Sequence, residues 1–124
     1  MTRVLVVGVG AMGFAHAKAC AAIAGNEIVG LVARDFSKWQ NVTTHFPDAA
    51  LYNDFYAALM RESPDVVIIS SFTDTHAPYA IKAMEAGAHV FVEKPLATNI
   101  QDAGRAIATA RKYNRKLYVG YILR

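Results

Sequence analysis

Three glycines, Gly8, Gly10 and Gly13, are spaced as G-x-G-x-x-G directly after the apolar run Val4-Leu5-Val6-Val7, and the alanine-rich stretch Ala11 to Ala24 follows them. That spacing is suited to holding phosphate. The first glycine permits a sharp strand-to-helix turn, the second lets the backbone approach a pyrophosphate, and the third allows close packing of helix on strand. N–H groups at the start of the helix, around Ala11 and Met12, then face the anion with the positive end of the helix dipole. Glycines at this spacing also occur in ligand-free turns. Here they sit between a strand pattern and a helix pattern, the context that the phosphate reading requires.

Elements able to position such a turn recur along the chain. Short runs rich in valine and isoleucine cover Arg3 to Val7, Glu27 to Val32, Asp65 to Ile69, His89 to Val92 and Leu117 to Val119, with a weaker strand at Ala49 to Tyr52. Nearly continuous apolar strands belong to a parallel sheet covered on both faces. Between them, Phe36, Trp39, Thr43 and Phe46 repeat at helical spacing after Asp35 as N-cap, and Phe55, Ala58 and Leu59 do so after Asp54. Ala77, Ala80, Ile81 and Met84 form a further stripe that stops at Gly87, and Ile100, Ala103, Ile107 and Ala110 form the last. In order this is βαβαβ twice over, an α/β Rossmann fold: a doubly wound parallel sheet with strand order 3-2-1-4-5-6 in a single domain. The aromatic and methionine stripes are core.

Composition agrees. A chain of 124 residues with 54% hydrophobic and 19% charged residues is long enough for one domain with a real core. The net charge of +3 is mild, and its densest basic run, Arg111-Lys112 and Arg115-Lys116, falls at a helix end where it complements the dipole. No nucleic-acid motif accompanies it, and no nucleic-acid partner is expected. Cys20 is the one cysteine, set among alanines as a small, inert thiol. The N-terminal apolar run is broken by Gly8 and Gly10 and followed by His16 and Lys18, so it does not read as a signal peptide. No apolar run reaches 18 residues either. The simplest expectation is a cytoplasmic protein with no membrane partner.

Ligands of such sheets bind outside the carboxyl ends of the strands, which directs attention to the residues just after each strand. After the second come Ala33, Arg34 and Asp35, with Ala33 lying 20 positions beyond Gly13, where an NAD site carries an acid for the ribose 2′-OH. The acid is missing and a cation stands next door, which favours NADP over NAD, with Asp35 as a helix cap. A shifted turn would instead present Asp35 to the ribose. After the fourth strand come Ser70, Ser71, Phe72, Thr73, Asp74, Thr75 and His76, and after the fifth come Glu93, Lys94 and Pro95.

Thr73-Asp74-Thr75-His76, Ala86-Gly87-Ala88-His89-Val90 and Glu93-Lys94-Pro95-Leu96-Ala97, in register with the glycine motif, resemble the glucose-fructose oxidoreductase, inositol dehydrogenase and rhizopine catabolism (Gfo/Idh/MocA) family over the whole chain. The resemblance implies that Lys94 reaches the reacting hydroxyl or carbonyl of a sugar-like substrate. It also implies that Glu93 and Pro95 shape the nicotinamide side of the pocket and that His76 lies near the cofactor in a positioning role. An ammonium can stabilise developing alkoxide charge during hydride transfer; the alternative is a surface lysine at a strand end. Two positions depart from the family pattern: Phe72 stands where proline is common, and Ala33 stands where NAD-using members carry an acid.

His16, His45 and His89 have no ligand spacing, so no metal site is expected. Family members continue into a second α/β domain, which implies that residues 1–124 are an N-terminal part of a longer enzyme. Alone, this part would bind cofactor without turnover, and it would expose apolar surface that could drive self-association. A non-catalytic regulator that binds a dinucleotide, and a free-standing nucleotide-binding module, are the alternatives.

Overall fold

Valine and isoleucine runs too short for helices become parallel strands here because both of their faces are covered. The computed structural model describes residues 1–37 and 40–120. In it β1 (Thr2–Val7) leads into α1 (Ala11–Ala21), followed by β2 (Asn26–Val32), α2 (Gln40–His45), β3 (Ala50–Tyr52) and α3 (Phe55–Glu62). The second half runs β4 (Val66–Ile69), a 3-10 turn at Thr73–Thr75, α4 (His76–Glu85), β5 (His89–Glu93), α5 (Ile100–Lys112) and β6 (Leu117–Gly120). All strand pairs are parallel and the sheet order is β3-β2-β1-β4-β5-β6, the doubly wound order expected from the sequence.

Alternation within β1 divides the core. Leu5 and Val7 face Phe55, Ala58, Ala80 and Met84 of α3 and α4, whereas Val4 and Val6 face Ala17 of α1 and Val42 of α2. Val4, Leu5, Val6 and Val7 are all at most 2% exposed, which is why this run carries no polar alternation. The winding reverses between β1 and β4, so the loops leaving those two strands diverge and leave a crevice at the carboxyl end of the sheet.

Two expectations about the helices need correction. The first helix ends at Ala21 rather than Ala24, because Gly25 at φ +92° turns the chain into β2 and Asn26 Nδ2 donates to the Cys20 carbonyl at 3.2 Å. The Asp35 carboxylate accepts from Ser37 N and Ser37 Oγ, both at 2.9 Å, and residues 38–39, which separate this turn from α2, lie outside the described residues. Trp39 of that stripe lies outside the described residues, while Phe36 and Phe46 do join the core on the α1 side. In α5 the buried side is Ala106, with Ala110 packed against the core, while Ile100 is 90% and Ile107 45% exposed. Alanines allow closer approach to α4, so the helix docks on them and leaves both isoleucines roughly 70–90° around its axis. Asp54 does cap α3, accepting from Ala57 N at 3.3 Å.

At the far end of the sheet, His89 Nδ1 accepts the backbone N–H of Lys116 at 2.9 Å, tying β5 to the start of β6. Burial, then the neighbouring charges of Arg115 and Lys116, hold this imidazole below the ordinary histidine range, with Asp65 acting in the opposite sense. The unfolded chain therefore takes up a proton that the folded chain resists. The resulting stability is present above the ordinary histidine pKa and is lost as the pH falls through the lower folded value. Urea unfolding at about pH 7.5 and about pH 5.5 is expected to show this acid loss, reduced in His89→Gln. An identical loss in the variant would assign the acid sensitivity to other groups.

Candidate functional site

The carboxyl end of β1 is built around close backbone approach. Gly8 adopts φ +88°, and a Cβ there would lie 2.6 Å from the carbonyl carbon and oxygen of Ser70 at the end of β4. At Gly13 a Cβ would fall 1.8 Å from the Gly8 carbonyl oxygen, so the first turn of α1 rests directly on the loop that precedes it. Gly10 is the N-cap of α1 and offers no side-chain hydrogen bond, and the first turn carries no acidic residue. The amides of Ala11, Met12 and Gly13 are thus left without capping partners at the positive end of the helix. Ser70 Oγ is buried beside this turn and has no hydrogen-bond partner. A buried unpartnered hydroxyl and an uncapped glycine-lined helix start are what an anionic ligand would satisfy, so these residues fit a dinucleotide pyrophosphate.

A cleft of about 600 Å³ opens from this turn. It brings together Gly8, Gly10, Ala33, Arg34, Ser71 and Phe72 from the sequence-based set, with Asp35 also in its wall. The Arg34 guanidinium carbon sits 4.5 Å from the centre of the Phe72 ring, spanning from the β2 side of the cleft to the β4 side. Ser71 Oγ and Thr75 Oγ1 are 2.7 Å apart, and Thr75 Oγ1 donates to the Phe72 carbonyl at 2.6 Å, fixing the loop that carries the ring.

The structure places Glu93 as the last residue of β5, with Lys94 and Pro95 directly after it, and all three lie outside the cleft wall. Buried His76, only 2% exposed, connects the two regions: Nδ1 lies 2.7 Å from the Pro95 carbonyl and Nε2 lies 2.9 Å from the Ser71 carbonyl. A neutral ring donates to only one of these carbonyls and a protonated ring to both; each ring nitrogen faces a backbone carbonyl. Thr73 is exposed in the 3-10 turn, and Lys94 is exposed next to a cis peptide bond to Pro95.

Sequence reasoning missed several residues. Glu93 pairs with His16 of α1, whose ring also packs edge-on against Phe91 at 4.9 Å between centroids. Separated by 77 positions, His16 and Glu93 share no local pattern, and only the packing of α1 across the sheet brings them together. Ser70, Asn53, Asp54, Phe55 and Tyr79 line the cleft as well. Tyr79 stacks on Phe55 at 4.2 Å, and burial, followed by the charges of Tyr56 and Asp54, raises its phenol above the usual range. Their place just after strands or caps was the available signal for Ser70, Asn53 and Asp54. Cys20 is partly buried, and burial raises its thiol pKa, with the Asn26 hydrogen bond acting the other way. Among the described residues no cluster of three or more potential ligands could hold a metal ion, and no helix is long and apolar enough to cross a membrane.

A family model described as "Oxidoreductase family, NAD-binding Rossmann fold" (GFO_IDH_MocA) matches residues 2–121. Alpha-N-acetylgalactosaminidase from Shewanella oneidensis is 34% identical over 121 residues, covering 90% of this chain and 26% of that protein. Among solved structures, the WlbA dehydrogenase from Chromobacterium violaceum in complex with NADH and UDP-GlcNAcA superposes with a TM-score of 0.86 at 26% identity. That match covers 96% of this chain and 34% of the other. The myo-inositol 2-dehydrogenase from Lactobacillus plantarum gives a TM-score of 0.87 at 25% identity, covering 96% of this chain and 36% of its own. The chain thus spans a quarter to about a third of these relatives.

Proposed function

Because this chain belongs to the Gfo/Idh/MocA oxidoreductase family, we propose that it is the dinucleotide-binding part of an NAD(P)-dependent enzyme. That enzyme moves a hydride to or from a sugar, polyol or related hydroxyl or carbonyl substrate. The observation that carries this reading is the uncapped start of α1, seated on Gly8 and beside the unpartnered Ser70 hydroxyl at the mouth of the cleft. Titration with NADH, followed by transfer of protein fluorescence to the bound nicotinamide, tests it; absence of saturable binding of NADH and NADPH would overturn it.

When bound, the nicotinamide supplies a hydride acceptor or donor. The protein's own part is to hold the pyrophosphate on the α1 amides and to present Lys94 to the substrate oxygen. There the ammonium donates a hydrogen bond and offsets alkoxide charge as it develops. His76, tied to the Ser71 and Pro95 carbonyls, and the Glu93–His16 pair hold the turn that carries Lys94. Residues that choose among sugars and polyols belong to this proposal as parts of the protein outside residues 1–124, and a cytoplasmic location belongs to it as the site of the dinucleotide pool.

The same reading gives NADPH preference over NADH. Ala33 offers no carboxylate for a ribose 2′-OH, and Arg34 lies in the wall beside it. A charge-assisted hydrogen bond from Arg34 to the 2′-phosphate contributes about 1.5–3 kcal/mol. Calorimetry is expected to show tighter NADPH binding, Arg34→Ala to erase most of the preference, and Ala33→Asp to move it towards NADH. Preference of the unmodified protein for NADH would make Asp35, in the same wall, the ribose ligand instead.

A second reading rests on the galactosaminidase relative. Hydride removal from a ring carbon acidifies the adjacent C–H, so a glycosidic substituent can be eliminated, water added and the hydride returned without net oxidation. Release of free sugar with no accumulation of NADH would select this reading; stoichiometric NADH would select the dehydrogenase.

A further inference from the structure

His16 stands in the second turn of α1, and Glu93 is the last residue of β5, directly before Lys94. The Glu93 side chain is 13% exposed, and a carboxylate so far covered is costly without a hydrogen-bond donor. His16 supplies one: its Nε2 is bonded to Glu93 Oε1, and because a carboxylate can only accept, the imidazole N–H donates. Both groups are also walled in. The imidazole meets the Phe91 ring edge-on at 4.9 Å between centroids, and a Cβ at Gly120 of β6 would fall 2.9 Å from that phenyl and 3.6 Å from Glu93 Oε1. At its other end α1 is seated through Gly13 on the Gly8 carbonyl. The helix whose first amides face the pyrophosphate position therefore grips, one turn later, the residue that precedes Lys94.

We propose that His16 is a positioning residue that couples the two sites: a pyrophosphate on the first turn of α1 steadies the turn carrying Lys94 through the His16–Glu93 hydrogen bond. The inference rests on the dinucleotide reading above, and goes beyond it by making the placement of Lys94 respond to whether the dinucleotide is bound. A ligand does this when it binds one arrangement of α1 better than another, since a rigid helix passes its displacement on to whatever its side chains hold. His16 lies outside the cleft wall, so its effect reaches Lys94 through Glu93 and not through contact with the dinucleotide there. His76 ties the same turn from its other side through the Pro95 carbonyl, so the test must separate the two histidines.

The probe is ADP-ribose, which carries the pyrophosphate and has no nicotinamide to shield Lys94. In the full-length protein, labelling of Lys94 by trinitrobenzenesulfonate, read by peptide mass spectrometry, is expected to slow about fivefold or more when ADP-ribose is bound. His16→Phe keeps a ring against Phe91 and removes the hydrogen bond. It should still bind ADP-ribose saturably, yet label Lys94 at one rate with or without it. His16→Gln, which returns a side-chain N–H donor, should restore most of the response, a rescue that a purely packing role for the imidazole would not give. If His16→Phe does not fold, Glu93→Leu breaks the same bond from the other side and carries the same expectation. A response as large in these variants as in the unmodified protein would overturn the coupling and assign it to His76 or to direct shielding. Labelling of the unmodified protein that ignores bound ADP-ribose would overturn it as well. Absence of saturable binding of ADP-ribose and of NADH to the unmodified protein would instead defeat the underlying dinucleotide reading.

Discussion

Lys94→Ala in the full-length protein is expected to lower kcat by about 10²-fold or more while the affinity for dinucleotide changes little. Lys94 follows β5 directly, on an exposed turn outside the cleft wall, so removing its ammonium leaves untouched the α1 amides proposed to hold the pyrophosphate. On the proposed role of Lys94, the substitution would remove stabilisation of charge that develops on the substrate oxygen, an interaction made most strongly in the transition state. Lys94→Arg should recover only part of the rate, because guanidinium is planar, differently placed and unable to give up its proton. The measurement is steady-state kinetics on whichever polyol or sugar of a panel the unmodified protein oxidises, with NADH affinity measured in parallel. Unchanged turnover would make Lys94 a surface lysine.

The second large effect is expected at Gly13. An alanine methyl there would meet the Gly8 carbonyl oxygen at 1.8 Å and its carbon at 2.8 Å, both backbone atoms that no side-chain rotation can clear. Either α1 lifts from the loop or the loop moves, and each displaces the amides proposed to hold the phosphate. Gly13→Ala is expected to cost about 3 kcal/mol or more of stability and to abolish measurable dinucleotide binding. Gly104 provides the contrast. It lies within α5 with nothing inside 4 Å of an added Cβ, so Gly104→Ala should stabilise the protein by up to about 1 kcal/mol through helix propensity and leave binding unchanged. Urea unfolding and NADH titration of the two variants separate a steric requirement from a general intolerance of substitution.

Local patterns in the chain determined the sheet. Val4 to Val7, Val66 to Ile69 and Val90 to Val92 are short, nearly continuous apolar runs of the kind that form strands in a covered parallel sheet, and their alternation with helical stripes, with the glycine motif after the first strand, points to the doubly wound order. Gly8, Gly10 and Gly13 were legible for the same reason, since their spacing encodes backbone geometry within a single turn. Tertiary packing decided everything that depends on which surfaces meet. The α5 stripe was ambiguous because alanines and isoleucines both lie on its apolar arc, and closeness to α4 selected the alanines. Asp35 could serve as a cap or a ribose ligand, and the chain's path after β2 brings its carboxylate to Ser37. His16 with Glu93, His76 between two carbonyls, and Arg34 over Phe72 join residues from different crossovers. Their partners are set by distances across the sheet, and no spacing along the sequence carries that information.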